Sequence, residues 1–133
     1  MLQAEDYDAL GAHRYAMRKF LRFSKEVLAE AKLTPEQYEA LLAIKSRAGL
    51  NGLNIRDLSD RLQVKHHTAV SLVQKLVARR LVERKRATQD KREVRIKLTR
   101  VGDSTLARLA TMHRREIRRR SSEMIDALRR LQK

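Results

Sequence analysis

The side chains with the most chemistry to offer fall in the second half of the chain. Residues 85–99, KRATQDKREVRIKLT, hold six basic and two acidic residues and neither glycine nor proline. Arginine and lysine at this density suit phosphate binding rather than catalysis. Asp90-Lys91-Arg92 sits in the middle of the run, where an aspartate is out of place unless it braces a basic neighbour. We expect Asp90 to orient Arg92, or a strand arginine such as Arg86, so that Arg92 can enter a narrow, negative groove. A plain turn aspartate is the competing reading. Upstream, His66, His67, Val70, Ser71 and Gln74 share one outer helical face, flanked by Thr68 and Lys75. Glutamine can bond adenine, serine can meet a base edge or a phosphate, and valine can pack on a thymine methyl. Thr68 and Lys75 have the character of phosphate contacts.

Other chemistries are poorly provided for. His66 and His67 are adjacent, so on a helix they point about 100° apart and cannot easily share a metal. His113 and Glu116 could share a helix face, but two ligands make a poor site, and His113 is expected to pack in a dimer interface. No phosphate-cradling glycine loop and no nucleophile with its base is evident, so we expect no catalytic residue, no metal and no cofactor. The absence of cysteine excludes disulfides and thiolate sites. No stretch approaches the roughly 18 apolar residues of a membrane span. The opening MLQAEDYDAL is acidic and unlike a signal peptide, so a cytoplasmic location is expected.

The net charge of +15 is unevenly spread. Residues 1–64 carry 10 Lys or Arg against 9 Asp or Glu, residues 65–98 carry 11 against 3, and residues 99–133 carry 10 against 4. A nearly neutral front and a cationic back point to a polyanionic partner, with nucleic acid favoured over acidic membrane. A solvated helix face accounts well for Arg114, Arg115, Arg118, Arg119 and Arg120, and less well for residues 65–98, whose charge sits on short elements bounded by turns.

The elements that must position these residues are legible in outline. A long helix from about Asp6 to Ala31 is expected to bury Leu10, Met17, Leu21, Leu28 and Ala31. In LTPEQ, Thr34 is an N-cap, Pro35 takes the first helical position and Gln37 completes a capping box. Ala40, Leu41, Ile44 and Ala48 should face inward, with Gly49 and Gly52 ending that helix. Asn54 caps a short helix to Leu62 that buries Leu58 and Leu62. The turn Gln63-Val64-Lys65 leads to a helix from His66 to about Arg80, burying Ala69, Leu72, Val73, Leu76 and Val77. A strand from Leu81 to Arg86 and a return strand Val94–Leu98 form a hairpin. Thr99 caps a last long helix with a stripe at Leu106, Ala110, His113, Ile117, Met124, Leu128 and Leu131, and with a kink or restart expected at Ser121-Ser122. The expected fold class is therefore mainly α with a small β-hairpin wing, a winged helix–turn–helix in one continuous domain, residues 1–133.

The span LTPEQYEALLAI, followed by NIRDLSDRLQVKHHTAVSLVQKLVARRLVERKRATQDKREVRIKLTRVG, resembles the multiple antibiotic resistance regulator (MarR) family of bacterial transcription factors. The resemblance covers residues 33–102 and rests on LTPEQ, the LVER strand, the DKR wing and LTRVG together. It implies a regulator, commonly a repressor, that acts as a homodimer on a palindromic double-stranded DNA operator. Residues 5–32 and 100–132 would form the dimer helices, Arg92 would enter the minor groove, and Asp90 would support it. Lys91 and Arg86 complete the expected wing contacts. It also implies release by a small aromatic or anionic effector, for which Arg14, Tyr15, Arg18 and His113 are candidate lining residues.

Three departures from the family pattern stand out. Arg80 replaces a glycine before the first strand, so the preceding helix must end without a glycine C-cap or in a less favourable geometry. His66-His67 and Ser71 replace other choices in the recognition helix, so base preference does not carry over. The C-terminal segment is short, and the dimer-forming end is expected to be reduced. The alternative function is a sequence-indifferent basic nucleic-acid binder, architectural or RNA-directed. On the wing reading, Arg92→Ala should weaken DNA binding by about tenfold or more, and Asp90→Ala should weaken it less while lowering specificity. Titration of a labelled duplex checks this, and unchanged affinity in both variants would sink that reading.

Overall fold

Capping chemistry sets most of the element boundaries. The computed structural model describes residues 1–47, 51–86 and 93–133. The described residues form α1 (Ala4–Glu30), α2 (Pro35–Arg47), α3 (Ile55–Leu62), α4 (His66–Ala78), β1 (Val82–Arg86), β2 (Val94–Leu98) and α5 (Arg100–Leu131). They fall into two compact units, one spanning Lys32–Arg108 and the other joining Met1–Ala31 to Leu109–Lys133.

In the first unit α2 opens with the expected reciprocal pair. The Gln37 amide N–H donates to Thr34 Oγ1 at 3.1 Å, and the Thr34 N–H donates to Gln37 Oε1 at 3.0 Å, satisfying two donors the helix start would leave open. Asn54 caps α3 by accepting from the Asp57 N–H at 2.8 Å. Ala40, Leu41, Ile44, Leu58, Ala69, Leu72, Val73 and Leu76 are buried and make the core of this unit together with Leu81, Val82 and Ile96. Leu62 and Val77 are only half-buried, and Ala48 lies outside the described residues. β1 and β2 pair antiparallel with Val82 opposite Leu98 and Arg86 opposite Val94.

The end of α4 turns through a left-handed residue that is not glycine. The helix stops at Ala78, and Arg80 takes a left-handed conformation with φ of +60°. Its N–H donates to the Val77 carbonyl at 2.9 Å, and the Leu81 N–H donates to the Leu76 carbonyl at 3.0 Å. These are the two closing bonds of a Schellman motif, with arginine in the place that glycine usually fills. Leu81 is thus spent on closing the helix, and the strand begins one residue later than expected. Thr99 holds this turn from the other side. Its N–H donates to the Leu81 carbonyl at 3.1 Å, and its hydroxyl donates to the Arg80 carbonyl at 2.6 Å while accepting from the Gly102 N–H at 3.0 Å. Gly102 packs its bare Cα onto that backbone, and a methyl group there would come within 1.9 Å of the Leu81 oxygen. Asp103, in the first turn of α5, pairs with Lys45 of α2 at 2.7 Å.

The second unit corrects two expected stripes. On α1 the buried residues are Ala9, Ala16, Ser24 and Leu28, whereas Leu10, Met17 and Leu21 are exposed. On α5 Leu106 and His113 are buried as expected, but Ile117 and Leu128 are exposed, and Leu109, Glu116 and Ala127 take inward positions. Small residues take the inward positions of α1, and the bulky side chains stay on its flanking faces. The helices are held together by Lys19–Glu123 at 2.8 Å and by Arg130–Asp8. No kink occurs at Ser121-Ser122, because the helix runs unbroken and the Ser121 hydroxyl donates to the Arg118 carbonyl within it.

His113 sits between these helices. Its Nδ1 meets the Leu109 carbonyl at 2.7 Å and its Nε2 meets Ser24 Oγ at 2.9 Å. A carbonyl only accepts, so Nδ1 carries the hydrogen that goes to Leu109. Phe20 and Phe23 pack against it edge-on, with centroids 6.1 and 5.9 Å away. The junction gives two expectations for chemical denaturation. Gly102→Ala should lose about 3 kcal/mol or more through the clash with Leu81, and Arg80→Gly should gain about 1 kcal/mol by relieving the left-handed arginine.

Candidate nucleic-acid interface

The turn between α3 and α4 is built by backbone geometry. Gln63 adopts φ of +54°, its N–H donates to the Asp60 carbonyl at 3.1 Å, and the Val64 N–H donates to the Ser59 carbonyl at 3.0 Å. This second closing turn on a non-glycine residue releases the chain into Lys65, whose carbonyl accepts from Thr68 and Ala69 to begin α4. With Ala69, Leu72, Val73 and Leu76 buried, His66, His67, Ser71, Gln74 and Lys75 are exposed. Thr68 and Val70 are half-buried rather than fully outward. The valine therefore offers a partial apolar edge, because its helical position leans toward the packed face.

The electrostatics of the α4 start differ from those of the other helices. Glu5 and Asp6, Glu36, Asp57 and Asp103 lie in the first turns of α1, α2, α3 and α5, while α4 has no acidic residue there and no side-chain cap. Its positive end and open N–H groups are left for an outside anion.

The hairpin follows across Arg79-Arg80-Leu81. On β1 only Val82 is buried, and Glu83, Arg84, Lys85 and Arg86 are all exposed. On β2 Ile96 is fully buried and its neighbours are half-buried. Asp90, Lys91 and Arg92 lie outside the described residues, so the expected bracing of Arg92 by Asp90 falls there too. Arg86, at the end of β1, is the one expected wing residue that the structure describes.

Sequence reasoning missed what anchors this hairpin. Leu53 forms an antiparallel bridge with Ile96, exchanging backbone bonds of 2.9 and 2.8 Å. Beside it, Asn54 Nδ2 donates to Glu93 Oε1 at 3.1 Å, Arg95 pairs with Glu93 at 3.0 Å, and Arg95 Nη1 donates to the Gly52 carbonyl at 3.3 Å. Gly52 has φ of +86°, and a Cβ there would sit 2.9 to 3.0 Å from Lys97, Arg95 and Ile96 atoms. A single-residue bridge leaves no periodicity to read. The one available signal was a glycine followed by an apolar residue and a capping asparagine.

The expected effector residues do not form a group. Arg14, Tyr15 and Arg18 are exposed on α1, whereas His113 is buried with partners of its own. A surface cleft of about 530 Å³ lies between α2 and α3, lined by Ser46, Arg47, Leu53, Asp57, Asp60 and Arg61. Among the described residues no three or more His, Cys, Asp or Glu side chains stand together as a metal site, and no helix is long and apolar enough to cross a membrane.

Helix, tight turn, helix and anchored hairpin define a winged helix–turn–helix protein. The MarR family model matches residues 31–93. The fold is shared with MepR, a transcription regulator of the Staphylococcus aureus multidrug efflux pump MepA, at 21% identity and a TM-score of 0.74, over 83% of this chain and 79% of that one. A MarR family protein from Bacillus stearothermophilus matches at 24% identity and 0.70, over 78% of this chain and 70% of that one. A mutant MarR from E. coli, complexed with operator DNA, matches at 26% identity and 0.65, over 74% and 68% of the two chains. No curated protein is matched in sequence. The likeness to the MarR family thus holds in sequence over residues 31–93 and in fold over most of the chain.

Both exposed histidines stand on the acid-free first turn of α4. The double variant His66→Ala, His67→Ala should lose about tenfold in duplex affinity at constant salt, and an unchanged affinity would remove the histidines from the interface.

Proposed function

We propose that the protein is a sequence-reading transcriptional repressor acting as a homodimer on a palindromic operator. The MarR family match over residues 31–93 supports a DNA-binding transcription regulator; the repressor role, the dimer and the operator symmetry are our reading. The observation that carries it is the exposed polar face of α4, open to an anion at its positive end and followed directly by a cationic hairpin tied to the start of α3. His66, His67, Ser71 and Gln74 would meet base edges in the major groove, Thr68 and Lys75 the phosphates, and the hairpin the neighbouring minor groove. Release by a small aromatic or anionic effector belongs to the same proposal and rests on family resemblance alone.

The unit formed by α1 and the end of α5 supports the dimer. Leu10, Met17 and Leu21 of α1 and Ile117, Ile125 and Leu128 of α5 are all exposed. Two helices alone make a thin core, and this much apolar surface marks an interaction face. A second copy would cover it.

Fluorescence anisotropy across a salt series tests the function, comparing DNA from upstream of the protein's own gene with a scrambled duplex of equal length. We expect a preference of about 10³-fold at physiological salt, and sedimentation should show a dimer. Equal, steeply salt-dependent affinities for every genomic duplex tried would instead favour a sequence-indifferent binder.

A further inference from the structure

The wing is strongly cationic, yet Glu93 stands at its foot. The carboxylate accepts from Asn54 Nδ2 at 3.1 Å and pairs with Arg95 at 3.0 Å. Both contacts reach beyond the hairpin loop. Asn54 is the N-cap of α3, and its Oδ1 is already engaged by the Asp57 N–H. Arg95 in turn holds the Gly52 carbonyl at 3.3 Å. Glu93 therefore joins the return strand of the wing to the first residue of the helix–turn–helix, alongside the Leu53–Ile96 bridge.

We infer that Glu93 is a positioning residue for DNA reading: with Asn54 and Arg95 it fixes the wing against the helix–turn–helix, so that wing and α4 engage one site in register. The inference rests on the sequence-reading function proposed above. Its physical basis is the cost of breaking the link. Arg95 keeps only 28% of its side-chain surface exposed, and its Nε is buried without a hydrogen-bond partner among the described residues. Without Glu93 the guanidinium loses the one carboxylate it pairs with here and must turn toward water, releasing Gly52 as it goes. The Asn54 side chain loses its acceptor at the same time. The tie to the segment entering α3 is then left to the Leu53–Ile96 backbone bridge.

A simple charge account and this inference differ in sign. Removing a carboxylate from a DNA-facing hairpin strengthens binding to any duplex if charge alone matters. If Glu93 positions the wing, Glu93→Gln raises affinity for a scrambled duplex by about twofold but lowers affinity for the operator by about tenfold, of the order of one lost base contact. Asn54→Asp keeps the α3 cap and turns the donor toward Glu93 into a repelling carboxylate, so it too should lower the operator preference. The double variant Asn54→Asp, Glu93→Gln exchanges donor and acceptor at unchanged net charge and should recover most of that preference.

The experiment is anisotropy with operator and scrambled duplexes for the four proteins, paired with amide hydrogen exchange at Ile96 in the DNA-free protein. Ile96 donates across the bridge to Leu53 at 2.8 Å, and its exchange should quicken by about tenfold in Glu93→Gln without a matching fall in global stability. An operator preference kept or raised in Glu93→Gln, or unchanged exchange at Ile96, overturns the inference. A wild-type protein that does not discriminate between duplexes overturns the sequence-reading function, while the exchange measurement still decides whether Glu93 holds the wing.

Discussion

The unit Lys32–Arg108 depends on how two carbonyl groups are satisfied where α4 ends. Arg80 must turn left-handed for the helix to close on Val77 and Leu76, and the turn points the Arg80 and Leu81 carbonyls away from the helix. Thr99 takes both, one through its hydroxyl and one through its amide, and from the same position caps α5. Gly102 lets α5 start directly against this backbone. The exit of α4, the entry to β1, the exit from β2 and the entry to α5 therefore meet at one point. Directions are fixed there by hydrogen bonds rather than by bulk, which a hairpin with one fully buried side chain on β2 could not supply alone.

The same unit concentrates positive charge without burying it. Lys85 pairs with Glu83 and Arg95 with Glu93, so part of the hairpin's charge is neutralised within the hairpin, where it serves the hairpin's own shape. At the start of α4 the opposite holds: no carboxylate answers the helix dipole. Shape is secured where the chain must be stiff, and charge is left open where a partner must be attracted.

Much of this was legible from residue order. Thr34-Pro35-Glu36-Gln37, Asn54 and Thr99 each announced a helix start because capping is a local interaction among residues three apart. The alternation at Val94–Leu98 gave the return strand to the residue, and the exposed face of α4 followed once its buried positions were removed. Other features were not legible, for physical reasons. Bulky apolar residues at helical spacing on α1 read as a core stripe, but Ala9, Ala16 and Ser24 are the residues buried there with Leu28. Periodicity shows that a face is apolar and does not say whether the chain itself covers it. The Leu53–Ile96 bridge and the Asn54–Glu93–Arg95 link join residues about forty apart through single side chains, which no local pattern encodes. The fate of Arg80 was half visible: the missing glycine was plain, and that the chain would keep the glycine's conformation was not.

The two units differ in how far apart their contacts lie along the chain. Thr99 reaches back nineteen residues to Arg80, whereas Ser24 meets His113 across 89 residues and Asp8 meets Arg130 across 122. During synthesis α1 emerges before its partner helix, with the whole of Lys32–Arg108 between them. The unit Lys32–Arg108 can close its loops first, while α1 waits with Ala9, Ala16, Ser24 and Leu28 uncovered until α5 has emerged. The order of translation thus makes the apolar helix the last to be housed and the part of the newborn chain most in need of protection from aggregation.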